Sequence, residues 1–271
     1  MKIINVEATT LPDAWFQLVY AALEHGRQFT IDEGSFAGHK RLELDFVVAN
    51  ITRPFERDVD GLPLLPETPE GNDTPPPVTK EYLQQYIPYV MGSLMGATPE
   101  ENESYTYGQR MTEEIIPDSI LDEFGNKEIY KDIDDDRFWV NKPHFDFILN
   151  QIELICETYR DNGHRNNQLV IQIARPSDLL LKDPPCLRQI DTRIQDGKLH
   201  FFIYFRSWDL WSGFSANLGG LSVLQEYMAE EIGVEQGEMV VSSKGLHLYS
   251  YSLPFAEMRT MVSRQPHRED R

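Results

Sequence analysis

The stretch CLRQIDTRIQDGKLHFFIYFRSWDLWSGFSANLGGLSVLQEYMAEEIG, residues 186–233, carries the strongest fold signals in this chain. Its first part reads as two strands, CLRQIDTRI and KLHFFIYFR, joined at Asp196-Gly197. That dipeptide favours a two-residue hairpin turn because both residues accept positive φ. Its last part, FSANLGGLSVLQEYMAEEIG, places Leu218, Leu221, Leu224, Met228 and Ile232 on one helical stripe, and Gly233 stops the helix.

Upstream, QLVIQIA (168–174) reads as a strand and RPSDLLLKDPP as a loop that delivers Cys186. PHFDFILNQIELICETYRD reads as a helix with Pro143 near its start, and Cys156 within it as a core thiol. Near the N-terminus, LPDAWFQLVYAALEH (11–25) is an amphipathic helix ending near Gly26, and RLELDFVVANIT is a buried strand. Residues 57–78, rich in Pro, Gly and acid, read as a mobile loop or insertion. KEYLQQYIPYVMGSLM follows as a helix that Pro88 is expected to kink or split. EMVVSSKGLHLYSYSL reads as a last strand; a short helix and a frayed tail, 263–271, close the chain. Strands and helices do not alternate strictly, so the expected class is α/β with a large mixed or antiparallel sheet and flanking helices, in one domain over 1–271.

The composition is that of a globular protein: 271 residues, 41% hydrophobic and 25% charged, with no apolar run near the ~20 residues a membrane helix needs. No secretory pattern opens the sequence, so a cytoplasmic address and no membrane partner are expected. A formal charge of −19 argues against nucleic-acid binding through a basic face. Two cysteines give neither a disulfide framework nor zinc spacing, and no metal is expected.

Pairing about the Asp196-Gly197 turn joins residues whose numbers sum to near 393, which returns Arg206 beside Cys186. A guanidinium there favours the thiolate, the nucleophilic form of cysteine. An ordinary ion pair of Arg206 with a carboxylate explains the same residue equally well. Next, RSWDLWSGFSANL groups Arg206, Ser207, Asp209 and Asn217 around Gly213, between a strand end and a helix start. Arg and Ser suit a phosphate, Asp a ring N–H, and Asn a donor–acceptor pair. Plain helix capping by Ser215 or Asn217 is the alternative.

Cys186 in PPC, Arg206-Ser207-x-Asp209 twenty residues on, Gly213, Asn217 and then Gly245-Leu246-His247-Leu248-Tyr249 resemble the thymidylate synthase family in order and spacing. YTYGQR (105–110) resembles the family's YGxxxR segment more weakly. The match spans about residues 165–252 and resembles a divergent, archaeal-like branch. Leu187 stands where the family has His, Trp208 where it has Cys, and SGFSAN replaces LGxPFN.

The resemblance implies a thymidylate synthase-like domain, a homodimer packed sheet to sheet, and a pyrimidine nucleoside monophosphate as substrate. The one-carbon unit would come from 5,10-methylene-tetrahydrofolate or a tetrahydromethanopterin-type carrier. Cys186 would add to C6 of the pyrimidine. Arg206 and Ser207 would hold the phosphate, with Arg165 the nearest match to the arginines a partner subunit lends; Arg175 and Arg188 are further anion contacts. His247 and Tyr249 would bind the sugar hydroxyl. Asp209 and Trp208 would face the reduced pterin, and Glu81 is the candidate for the family's proton-moving glutamate. Asn217 would read the base: an amide suits uracil, while the cytosine-modifying relatives carry Asp. C5 methylation of dUMP to dTMP is thus expected, with hydroxymethylation of dUMP, CMP or dCMP as the alternative and a non-catalytic nucleotide-binding paralogue as a third. Trp208, Trp211 and Phe214 are expected to supply the dry wall that hydride transfer favours.

Overall fold

A computed structural model describes residues 1–31, 38–97, 105–116 and 147–264. The 186–233 stretch folds as read. Strands β8 (Leu187–Gln195) and β9 (Lys198–Phe205) form a hairpin through Asp196 and Gly197, with φ of 52° and 74°. Helix α5 (Gly213–Ile232) follows and ends at the left-handed Gly233. Around the hairpin a six-stranded mixed sheet runs in the order β1–β4–β11–β9–β8–β7. Its other members are β1 (Ile3–Ala8), β4 (Phe46–Ile51), β7 (Val170–Gln172) and β11 (Glu235–Ser243). A four-stranded sheet has the order β10–β12–β3–β2, from β10 (Trp208–Asp209), β12 (Leu246–Tyr249), β3 (Lys40–Leu44) and β2 (Arg27–Thr30). A small pair joins β5 (Glu114–Ile116) to β6 (Phe147–Leu149).

The period-two alternation of the large sheet divides its faces. Val47, Ala49, Ile51, Leu199, Phe201, Ile203, Met239 and Val241 point inward and are buried under α1 (Leu11–His25) and α5. Phe46, Val48, Tyr204 and Val240 point the other way and are half-buried, and Phe202 is exposed. Cys156 is a buried core thiol on α4 (Gln151–Asn162), its pKa pushed up to about 12 by burial.

Four local expectations change. The stretch 41–52 is two strands in different sheets, because the Asp45 carboxylate turns aside to bind the Lys2 N–H and the Arg27 guanidinium. Residues 238–249 likewise split at Gly245, φ 75°, into β11 and β12. The helix bearing Cys156 starts only at Gln151, where the Asn150 side chain accepts from the N–H groups of Ile152 and Glu153; Pro143 lies outside the described residues. Pro88 does not split α2 (Lys80–Met91), which runs one turn further before a 3-10 turn at Gly92–Met95.

Residues 57–78 hold no helix or regular strand, yet they are tied to the body. Arg259, buried on α6 (Leu253–Thr260), donates to the carbonyls of Pro66 and Glu67 and to the Thr68 hydroxyl. Arg57 reaches Ser222 and Glu226 on α5.

Candidate active site

The hairpin sets the first half of the site. Its ladder keeps a sum of 393 from Gln195↔Lys198 to Gln189↔Tyr204, then slips to 392 at Leu187↔Phe205 through a bulge. Cys186 and Arg206 therefore meet, and the Arg206 N–H donates to the Cys186 carbonyl at 2.8 Å. The guanidinium of Arg206 binds the carbonyls of Pro184 and Pro185 through Nε, at 3.2 and 3.1 Å, and the Asp183 carboxylate through Nη2, at 3.1 Å. It clamps the loop that presents the thiol. The electrostatic expectation for Cys186 is reversed in its net result. Burial raises the thiol pKa more than Arg206 lowers it, and Asp183 adds to the rise while Arg188 and Arg41 oppose it. The resting group is the thiol.

Asp209 is the cap of α5. Its carboxylate accepts from the N–H groups of Trp211, Ser212 and Gly213 at 3.1, 3.2 and 3.0 Å, which satisfies donors that a helix start leaves unpaired and places negative charge at its positive end. Neither Ser215 nor Asn217 does this work. Gly213 is needed for the approach, since a Cβ there would lie 3.2 Å from Asp209 Cβ.

Trp208 is buried, stacked on Phe205 with centroids 4.0 Å apart and packed against Phe214 at 4.7 Å. Trp211 and Phe214 are core residues as well. These rings support the site from beneath and do not wall it. The Trp208 indole N–H donates to Asn217 Oδ1 at 2.8 Å. Since an indole N–H can only donate, this bond fixes which way the Asn217 amide faces.

His247 and Tyr249 lie on β12, one pleat apart on the same face, with ring centroids 4.6 Å apart. His247 is buried, and its Nδ1 lies 2.9 Å from the Gly245 carbonyl, an acceptor, so the proton sits on Nδ1. Burial pushes its pKa down to about 4. Nε2 is consequently an acceptor, buried and without a partner among the described residues. Opposite Tyr249 in the β12–β3 ladder stands Arg41, paired to Glu43 at 2.6 Å, with its Nε buried and without a partner among the described residues. Buried polar atoms are seldom left so, and here an acceptor and a donor are left together.

Two cavities open at this centre. One, about 530 Å³, is lined by Arg27, Arg41, Arg206, Lys244 and Ser207 together with Glu43 and Asp45, a gathering of cations in a chain of net charge −19. The other, about 270 Å³, is lined by Tyr86, Tyr89, Tyr105, Thr106, Tyr107 and Asn217. Tyr107 Oη accepts from the Leu187 N–H at 3.4 Å, directly after Cys186. Burial raises the pKa of Tyr86, Tyr105 and Tyr107, with a smaller contribution from Cys186, and Tyr105 reaches about 12.

Glycines bring these tyrosines in. A Cβ on Gly108 of α3 (Tyr107–Thr112) would sit 2.4 Å from Gly92 N, and one on Gly220 of α5 would sit 2.7 Å from Val90 of α2. The first contact is backbone against backbone, and the second seats the Val90 side chain directly on α5. Arg110, the last residue of YTYGQR, is buried and pairs with Asp178 at 2.8 Å, anchoring the 3-10 turn (Pro176–Leu180) ahead of the cysteine loop.

Among the expected site residues, Cys186, Arg206, Ser207, Asp209, Asn217, His247 and Tyr249 converge. Glu81 does not: it is exposed in the first turn of α2. Tyr86, on the buried side of the same helix, is the group that reaches Asn217. Arg165 is exposed beyond the outer end of β7 and does not join the cluster of its own chain. Arg175 is paired with Glu114, and Arg188 with Asp178. Sequence reading missed Tyr86 and Arg41. The available signal for Tyr86 was its place beside Leu83, Ile87 and Val90 on the apolar stripe of α2, a polar hydroxyl where packing alone asks for none. No local pattern marks Arg41.

The family model described as thymidylate synthase matches residues 120–270. A protein of Methanosarcina barkeri named "Putative thymidylate synthase" is 25% identical over 252 residues, covering 93% of this chain and 92% of that one. One of the same name from Methanothermobacter thermautotrophicus is 22% identical over 259 residues, covering 93% and 96%. A "Thymidylate synthase" of Listeria monocytogenes is 27% identical over 121 residues, covering 44% and 38%. No helix among the described residues is long and apolar enough to cross a membrane.

Proposed function

The chain belongs to the thymidylate synthase family, and from that premise we propose that it methylates dUMP at C5 to give dTMP, with Cys186 as the nucleophile and a methylene-tetrahydropterin as carbon donor. The observation that carries this reading is a pair of buried atoms without a partner among the described residues, Arg41 Nε and His247 Nε2, together with the basic cavity that Arg41 lines with Arg206, the residue whose N–H bonds to the Cys186 carbonyl.

A nucleoside monophosphate fits that arrangement. Its phosphate suits Arg206, Ser207 and Arg41, and its sugar hydroxyl can donate to the bare Nε2 of His247 with Tyr249 alongside. The base then lies toward Asn217 and the tyrosines. There the Cys186 sulfur attacks C6 once its proton has left, and C5 becomes nucleophilic. The carrier, when bound, supplies the methylene group and the hydride. Either a folate or a methanopterin-type carrier is consistent with Asp209, whose Oδ2 is taken up by the Ser212 and Gly213 N–H groups and the Ser212 hydroxyl, while Oδ1 accepts only from the Trp211 N–H among the described residues and keeps a lone pair. The face of the large sheet that carries Phe202, exposed, and Phe46, Val48, Tyr204 and Val240, half-buried among the described residues, suits a second copy of the chain, and a homodimer is the form in which Arg165 could serve a neighbouring site.

One observation favours hydroxymethylation as a second reading. The wall nearest Asn217 is rich in hydroxyls, whereas Trp208, Trp211 and Phe214 are packed beneath it, and a hydroxyl-lined wall admits water. Incubation with dUMP tritiated at C5 and methylene-tetrahydrofolate tests both. Tritium release with the mass gain of a methyl group is the expected result, the same release with an added oxygen establishes the second reading, and no release from C5 overturns the two together.

A further inference from the structure

We propose that Tyr86 is a catalytic hydrogen-bond donor of this site, holding the O4 oxygen of the pyrimidine as negative charge gathers on it. The inference rests on the one-carbon-transfer reading above and deepens it, for nothing in the family motifs points to residue 86.

The direction of each hydrogen bond follows from donor chemistry. Trp208 Nε1 donates to Asn217 Oδ1 at 2.8 Å. The amide nitrogen of Asn217 therefore faces the other way, toward Tyr86, and a carboxamide nitrogen can only donate. The Tyr86 oxygen accepts that bond, so the phenolic hydrogen must point elsewhere. Among the described residues Tyr86 donates to none. The space beside it is the cavity of about 270 Å³ that Tyr86 lines with Asn217, Tyr105 and Tyr107. A base whose edge is read by Asn217 brings O4 into that space.

The placement is rigid. Tyr86 stacks on Tyr82, centroids 6.1 Å apart and planes 13° off parallel. Behind it, Gly219 and Gly220 let α2 press onto α5. Burial raises the phenol pKa, so Tyr86 stays protonated and available as a donor.

In the addition step the Cys186 sulfur, its proton already lost to solvent, supplies the electron pair of the new S–C6 bond. The C5=C6 π pair moves to C4–C5, and the C4=O4 π pair comes to rest on O4. Tyr86 shares its hydrogen with that oxygen and keeps it, so no net proton transfer is needed. When O4 returns its pair, C5 is left as the carbon nucleophile. A preorganised donor aimed at developing charge typically contributes about 10²–10³ in rate. A carbonyl at C4 can take this hydrogen, whereas the amino group of cytosine cannot, so the same phenol favours uracil.

The test is Tyr86→Phe, which keeps the ring and its stacking, compared with wild type and with Tyr82→Phe. Turnover is read as tritium release from C5-tritiated dUMP with methylene-tetrahydrofolate, dUMP binding by calorimetry, and folding by Tm. Tyr86→Phe is expected to lower kcat about 100-fold with the Kd for dUMP within about threefold and Tm retained, and Tyr82→Phe to match wild type. Turnover by Tyr86→Phe within about threefold of wild type overturns the proposal, as does a loss confined to binding with kcat intact. If the wild-type protein itself releases no tritium, the one-carbon-transfer reading fails first and the role of Tyr86 falls with it.

Discussion

The two sides of this site reach Cys186 by different physical routes. On the C-terminal side, Cys186, Arg206, Asp209, Asn217 and His247 lie on a hairpin, the helix it feeds and a strand bonded to that junction. Hydrogen-bond register fixes them, and register is a matter of counting. On the N-terminal side, Tyr86 and Tyr107 arrive on two helices, α2 and α3, held by close backbone contact at Gly92 and Gly108, while Arg41 comes from β3 in the ladder with β12. Register survives small substitutions because each ladder bond supports its neighbours; a backbone-to-backbone contact fails as soon as one methyl is inserted. In the proposed reading the first side carries the nucleophile, and the second tunes where the base sits.

The largest effect should come from Cys186→Ala, which removes the chemistry of the hairpin side and leaves both kinds of scaffold intact. Turnover is expected to fall by roughly 10⁴-fold or more, with dUMP still bound. Turnover near the wild-type rate would remove the hairpin side from the chemistry altogether. The complementary change is Gly108→Ala, whose methyl meets the Gly92 backbone and the Tyr89 carbonyl at 2.4–2.6 Å. Because backbone cannot rotate away as a side chain can, a loss of about 3 kcal/mol is expected in denaturant unfolding. An unchanged midpoint would show that α2 and α3 are not held by that contact.

Titration sharpens the same contrast. The Cys186 thiol is raised above its ordinary value of 9.0, and the reactive form is the deprotonated one. The rate of adduct formation by the free protein should therefore climb about tenfold per pH unit from neutrality toward pH 9; a plateau already reached at pH 7 would mean that Arg206 outweighs burial. The smallest effect is assigned to His247→Ala. Loss of one buried acceptor should weaken dUMP binding about tenfold, about 1.4 kcal/mol. The wild-type protein should lose the same increment on acidification through about pH 4, where His247 takes up a proton on Nε2. Binding that is indifferent to both changes would take the sugar away from His247.

Much of the site was legible because its residues are close in sequence or linked by one countable turn. Asp196-Gly197 set the register, and even the bulge at Leu187–Gln189 moved the sum only from 393 to 392. The alternation of apolar residues gave α1 and α5 their bounds. It misled where one apolar run served two sheets, at Asp45 and Gly245, because the break there comes from side-chain capture of a terminal N–H and from a positive φ. Glu81 was a reasonable choice by residue type, but helical phase puts it in solvent and Tyr86 beside Asn217.

By itself, then, the amino-acid sequence determined the hairpin, its following helix, and the presentation of Cys186 beside Arg206, since local propensity and register need no knowledge of distant chain. Only the tertiary structure decided the resting charge of Cys186, the inward turn of Trp208 onto Asn217, and the delivery of Arg41 and Tyr86. The first depends on burial, the Trp208 turn on how its ring packs against Phe205 and Phe214, and the delivery of Arg41 and Tyr86 on contacts between segments more than a hundred residues apart. Desolvation and packing are properties of the whole molecule, which no short window of residues contains.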